Sequence, residues 1–261
     1  FNDPNDLALL FVIACGVCIT FLFGRKKNIL VRLLNLGFLA ALFYGIFLTN
    51  SRGGFLALLV TIYFFFVRKT KKFLWGGIIG GLCAVALFAI GPSRLGIIST
   101  SEASASSRIE LWYGGILLLK ANPLFGAGYD RFMEDLPQTA HNSYILAAAE
   151  LGLFGIFFWM ALIYSSFKGL SMIINTDQKL YNYALAVQSS LVGFCAAAFF
   201  LSRTYTVLPY LLFALSGSLM YIAKQRNNEL DFRFTKQDWK MSGIWTIGIL
   251  ILVYAFIKVG L

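Results

Sequence analysis

What this chain can fold into is limited first by its long apolar runs. "LWGGIIGGLCAVALFAIG" (74–91) and "SYILAAAELGLFGIFFWMALIY" (143–164) carry one charged residue between them. The runs last roughly 17–25 residues, the length that crosses a hydrocarbon core about 30 Å thick. In lipid every backbone N–H and C=O must be satisfied within the protein, which leaves helices or a closed barrel. Barrel strands would alternate apolar and polar residues over about ten positions, and these runs do not alternate. Charged residues make up 13% of the 261, where soluble domains carry about 25%. The chain therefore reads as an all-α, polytopic helical membrane protein forming a single membrane domain over 1–261.

Eight spans are predicted, at about 7–23, 29–48, 52–67, 73–91, 143–167, 182–201, 208–223 and 242–259. The opening "FNDPNDLALL", without an initiator methionine, is expected to begin the later part of a longer protein with further spans upstream. Links 24–28, 68–72, 167–180 and 224–240 hold 14 of the 22 Lys and Arg, and the alternate links hold far fewer. The positive-inside rule makes these four links cytoplasmic, so that 49–54, 92–141 and 202–207 lie outside. Anionic headgroups account for the net charge of +10, and no nucleic-acid partner is required. Cys15, Cys18, Cys83 and Cys195 all fall inside apolar spans and read as small packing residues. "GGIIGG" (76–81) reads as close helix packing. No zinc-ligand spacing or nucleotide loop occurs, so neither metal nor cofactor is expected.

Polar groups are costly at a membrane, so their placement carries the functional signal. In "LTNSRGGF" (48–55), Arg52 precedes two glycines that would let the backbone approach a ligand at a helix N-terminus. An anion site and an interfacial arginine that orients the hairpin are both compatible with that pattern. The long segment 92–141 contains Ile109, Trp112, Ile116 and Leu119 at helical spacing, with Arg108 at the start. An amphipathic helix on the outer leaflet is predicted there, broken by "NPLFGAG". The one histidine, His141, precedes Asn142, which is placed to cap a helix starting at Ser143. A helix N-terminus disfavours the imidazolium, so a neutral, proton-accepting ring is expected near pH 7. Glu150, two turns deeper, is expected to make a structural polar contact within the bundle.

"DPNDLA" (3–8), "NSRGGFLALLV", "SSRIELW" to "NPLFGAGYDRF", and "AHNSYILAAAELGLFG" together resemble the motif set of the O-antigen ligase and O-antigen polymerase superfamily, over about residues 1–220. The resemblance implies an architecture akin to the C-type glycosyltransferases. It also implies metal-independent transfer of a glycan from a polyprenyl diphosphate carrier, at the periplasmic or outer face of a bacterial cytoplasmic (inner) membrane. The acceptor would be a hydroxyl of another glycan, of lipid A core or of a protein, and the ligase and polymerase readings both stay open. Carried over residue by residue, the family's arginine before paired glycines is Arg52, the arginine before the tryptophan-bearing helix is Arg108, and the histidine of the "HN" motif is His141. Arg203, in "SRTYTV", has no family counterpart but is predicted on the same outer side.

Arginine suits diphosphate binding, because its fixed fork of donors keeps its charge and binds bidentately. A neutral imidazole suits the general base that activates the acceptor hydroxyl. Should His141 not be the base, the outer carboxylates Glu110, Asp130, Glu134 and Asp135 are the alternatives. A transporter or flippase of lipid-linked saccharides is the rival reading, although such proteins place their sites at the midplane within repeated halves. A non-catalytic membrane scaffold would leave the polar outer segment unexplained.

Overall fold

The structure, a computed structural model, describes residues 3–24, 29–71 and 98–260, with the side chains of 98–107 and 260 excepted. The predicted span 73–91, with "GGIIGG" and Cys83, lies outside the described residues. Those residues form nine helices: α1 (Pro4–Leu22), α2 (Ile29–Leu48), α3 (Arg52–Thr70), α4 (Ile98–Ala121), α5 (Phe132–Asp135), α6 (Ser143–Thr176), α7 (Tyr181–Ala197), α8 (Val207–Arg226) and α9 (Lys236–Gly260). Six of them, α1, α2, α3, α6, α8 and α9, are long and apolar enough to cross a membrane. The chain is a polytopic helical membrane protein, as its apolar runs require.

The chain divides into two compact units. The first comprises α1, α2, α3, α7, α8 and the end of α6 from Ser166. Local chemistry starts its helices. Asp3 caps α1 by accepting from the Asn5 N–H at 2.9 Å, with Pro4 in the first turn, where its missing N–H costs nothing. Ser51 caps α3 by accepting from the Gly54 N–H at 3.1 Å. Lipid tails are as apolar as leucine, so helix association here depends on close packing. Small residues provide it: a Cβ on Gly54 would lie 2.7 Å from Ala8, and one on Gly193 would lie 2.5 Å from Thr61. Leu9, Val12 and Ile19 of α1, Leu58 and Phe65 of α3, and Leu185, Leu191 and Phe194 of α7 fill the interior.

The two ends of this unit differ in charge. At one end Ser51 Oγ donates to Asn5 Oδ1 at 2.6 Å, joining the starts of α1 and α3. At the other, Lys69 donates to the Phe23 carbonyl, Arg68 to the Ser171 carbonyl at 3.5 Å, and Arg226 to Asp177 at 2.8 Å. Described residues of the links 68–72, 167–180 and 224–240 thus meet at this end of the unit, while the basic residues of the link 24–28 lie outside the described residues.

Helix α7 stops at Ala197, short of the predicted 201. At 1.5 Å per residue its 17 residues span about 25 Å. Gln188, Ser189 and Ser190 at its centre are fully buried. Gln188 Nε2 donates to the Phe167 carbonyl at 3.0 Å and to Ser171 Oγ at 2.7 Å, and Ser190 Oγ donates to the Ile13 carbonyl at 2.7 Å.

The second unit comprises α4, α5, α6 through Ser165, residues 198–206 and α9. Asp238 accepts from the Thr235 N–H at 2.7 Å to start α9, and from the Tyr164 hydroxyl at 3.0 Å to hold that start against α6. Trp112, Ile116, Phe132, Ile145, Val253 and Ile257 form the buried cluster. The apolar stripe predicted on 109–119 is real, but Trp112 and Ile116 spend it on this protein core, packed with α6 and α9.

Candidate functional site

The predicted span 143–167 contains a break. Gly152, inside α6, adopts φ 66° and ψ −169°, a conformation open essentially to glycine alone. In an unbroken helix the N–H groups of Leu153 and Phe154 would donate to the carbonyls of Ala149 and Glu150. Here all four groups turn to the loop 122–128. Leu153 donates to Pro123 (2.8 Å) and Phe154 to Leu124 (3.2 Å), while Ala127 donates to Ala149 (2.8 Å) and Gly128 to Glu150 (3.0 Å). Two helical bonds are replaced by four bonds to the loop, so the break leaves none of these four groups unpaired. The approach is closest at two glycines: a Cβ on Gly126 would lie 2.3 Å from the Glu150 backbone, and one on Gly152 would lie 2.4 Å from the Gly126 nitrogen. The motifs "NPLFGAG" and "ELGLFG" are therefore two halves of one interlocked turn.

Glu150, expected as a polar contact within the bundle, is 2% exposed. Its Oε1 accepts from the Phe132 N–H at 3.1 Å, at the start of α5, and its Oε2 has no partner among the described residues. The carboxylate thereby fastens the segment after the loop, where Arg131 pairs with Glu134 at the exposed surface. Glu110, Asp130, Glu134 and Asp135 are all exposed.

His141 sits immediately before α6 with φ 48°, in the left-handed region that histidine tolerates better than most residues. Its neighbours on both sides are fixed. The Ala140 carbonyl, fully buried, accepts from Trp112 Nε1 at 2.8 Å. Asn142, also fully buried, caps α6 as predicted, its Oδ1 accepting from the N–H groups of Tyr144 (2.9 Å) and Ile145 (3.1 Å). The imidazole is half-buried, on a backbone that has little freedom to move.

The chain after α7 is bound to the same place. The Ser143 N–H donates to the Ala198 carbonyl at 2.8 Å, and Ser143 Oγ donates to the Leu201 carbonyl. The Arg203 N–H donates back to Ser143 Oγ at 2.8 Å, and Thr204 Oγ1 donates to the Ser143 carbonyl at 2.8 Å. Apolar residues 198–201, predicted as the end of a span, instead wrap the start of α6. Tyr129 of the loop meets Tyr205 edge to face, with ring centroids 4.9 Å apart.

Arg203 is thus bonded through its backbone to a residue two positions from His141. Arg108 is half-buried, one turn (about 6 Å along the axis) before Trp112, whose indole holds Ala140. Arg108, His141 and Arg203 all belong to the second unit, on segments joined by these contacts. Arg52 belongs to the first unit, exposed at the start of α3 beside the Ser51–Asn5 bond. Of the glycines after it, Gly54 is used for the contact with Ala8. Among the described residues no group of three or more His, Cys, Asp or Glu is placed to hold a metal ion.

Sequence reasoning missed the Gly152 break and the anchoring of 198–204 on Ser143. The one local signal for the break was a glycine flanked by Leu151 and Leu153 in an apolar run. The anchoring left no local signal, because the partners are some sixty residues apart.

No curated protein matches the chain. A family model described as O-antigen ligase matches residues 37–160, a stretch that carries Arg52, Arg108, the interlocked loop and His141. The match supports, in general terms, a glycosyl-transfer role of the ligase or polymerase type. It supports the resemblance of the motifs to the O-antigen ligase superfamily.

Proposed function

We propose that the protein transfers a glycan from a polyprenyl diphosphate carrier to an acceptor hydroxyl at the outer face of the cytoplasmic membrane, without a metal. The observation that carries this reading is the placement of His141. It is the one histidine of the chain, with both neighbouring residues pinned, on segments bonded to those that carry Arg108 and Arg203. His141 takes the proton from the acceptor hydroxyl as that oxygen attacks the anomeric carbon. The bond from that carbon to the diphosphate oxygen breaks, and the departing diphosphate keeps the electron pair. Arg52 and Arg108 hold the diphosphate oxygens, with Arg203 as an accessory cation. The transfer is driven by the carrier's glycosyl-diphosphate bond, so no nucleotide is consumed outside the cytoplasm.

A transporter would use a broken helix such as α6, whose freed backbone groups coordinate substrate. The four groups freed at Gly152 are all taken by the loop, which counts against that use. The test is transfer from a polyprenyl-diphosphate glycan to an acceptor by the full protein in detergent. His141→Ala should lose about 10²–10⁴-fold in transfer rate while donor binding persists. His141→Asn, which cannot take a proton at neutral pH, should not rescue it. The wild-type rate should fall on acidification, as the imidazole gains the proton it must accept. Full activity in His141→Asn with an unchanged pH profile would refute the assignment of the base.

A further inference from the structure

The basic end of the first unit contains a cavity of about 120 Å³ between α1, α3 and α7. Roughly 10–15 Å³ of such space holds one water, so there is room for a polyatomic ligand. Thr20, Phe23, Phe65, Lys69, Tyr181 and Asn182 line it, and no carboxylate is among the lining residues. Lys69 Nζ donates to the Phe23 carbonyl and lies 5.0 Å from the centre of the Phe23 ring and 5.7 Å from that of Phe65. An ammonium has three donors, and this hydrogen bond uses one. Arg32, in the first turn of α2, lies within electrostatic reach of Lys69. Its Nε is enclosed without a partner among the described residues, and so is Asn182 Oδ1.

A lining cation with spare donors, a second cation within its electrostatic reach and an enclosed acceptor specify a ligand with an anionic group and a donor. We propose that the cavity binds a phosphate group carried by a phospholipid headgroup. The phosphodiester meets Lys69 and Arg32, and a headgroup donor, the ammonium of ethanolamine or a hydroxyl of glycerol, meets Asn182 Oδ1. Phe23, 42% exposed, gives an apolar path from the cavity toward the acyl chains. This site is independent of the transfer chemistry assigned above, and its failure would leave that reading intact.

The test is native mass spectrometry of the delipidated full chain, titrated with phosphatidylglycerol, phosphatidylethanolamine, phosphatidylcholine or inorganic phosphate. Glycerol and ethanolamine lipids should bind about 10-fold more tightly than the choline lipid, which has the phosphate but no headgroup donor. Lys69→Gln should lose about that factor, Lys69→Arg should keep it, and Lys258→Gln should be without effect. Asn182→Leu should bring the glycerol and ethanolamine lipids down to the choline level. Failure of inorganic phosphate to compete at millimolar concentration supports the lipid source. Competition keeps the phosphate site but makes free phosphate its ligand. Equal binding of all three lipids to the wild type would overturn the proposal, as would unchanged binding in Lys69→Gln. If Lys69→Gln does not fold, the headgroup series on the wild type and Asn182→Leu still decide it.

Discussion

Replacing Gly152 by alanine puts the interlocked turn to a quantitative test. At φ 66° and ψ −169° an L-residue costs about 1–3 kcal/mol. The new Cβ would also stand 2.4 Å from the Gly126 nitrogen and the Leu124 carbonyl oxygen, backbone atoms that cannot rotate away. Straightening the helix is the only escape. It would restore two helical bonds and forfeit the four to the loop, a net loss of two bonds at about 0.5–1.5 kcal/mol each. Any loop amide or carbonyl that stayed buried would add roughly 1–3 kcal/mol. Together these terms give a destabilisation of about 2–6 kcal/mol. Thermal unfolding in a mild detergent measures it, with Gly217→Ala as the control. A Cβ on Gly217 meets nothing within 4 Å, so alanine there should be neutral or stabilising by up to about 1 kcal/mol. A cysteine placed at Ala127 should become more reactive to a soluble thiol reagent in the Gly152→Ala background. An unchanged midpoint together with unchanged labelling would refute the interlock.

Three further outcomes are expected. Arg52→Lys and Arg108→Lys keep the charge but lose the bidentate fork, so transfer should fall sharply while expression and insertion persist; wild-type turnover in both would remove them from the diphosphate site. Cysteines at Gln138 and Asn228, both exposed, should label oppositely with an impermeant reagent in intact cells, and equal labelling would overturn the orientation taken from the basic links. Burial works to raise the Asp177 carboxyl, but the Arg226 guanidinium and the N–H groups of Leu180 and Lys179 hold it below its usual value. The stability it contributes is therefore present above the ordinary carboxylate pKa and lost as pH falls through the lowered one, so Asp177→Asn should flatten the acid limb of the unfolding curve.

The long helices were legible because lipid imposes one requirement, about twenty apolar residues with every backbone group satisfied. Helix α3 begins at the predicted residue, where Ser51 caps it, and α1 begins three residues early, where Asp3 and Pro4 cap it. The Asn142 cap was legible because its partners are two and three residues away. Residues 198–201 were misread as helix because Ala, Phe, Phe and Leu look the same whether they face lipid or wrap Ser143. The Gly152 break is decided by a loop more than twenty residues earlier, and no pattern around Gly152 specifies that loop. His141 and Arg108 were legible only as members of motifs. The bonds of Arg203 and Thr204 to Ser143 span some sixty residues, so no local pattern announces them.

Helix α7 bears on the order in which the molecule can be assembled. With about 25 Å of length and three adjacent polar residues at its centre, it partitions poorly into lipid by itself. Gln188 Nε2 and Ser190 Oγ are answered by neighbours that leave the ribosome earlier: Ile13 on α1, and Phe167 and Ser171 on α6. Its groove therefore exists before α7 is synthesised, and the helix can pass from the translocon onto protein without first facing acyl chains. A lesion in α1 that spoils the contact with Ser190, such as a bulky residue at Gly16, should then act on a helix made some 170 residues later. A Cβ at Gly16 would stand 2.7 Å from Ser190 Oγ, and its effect would appear as failed insertion of α7 rather than as misfolding of α1.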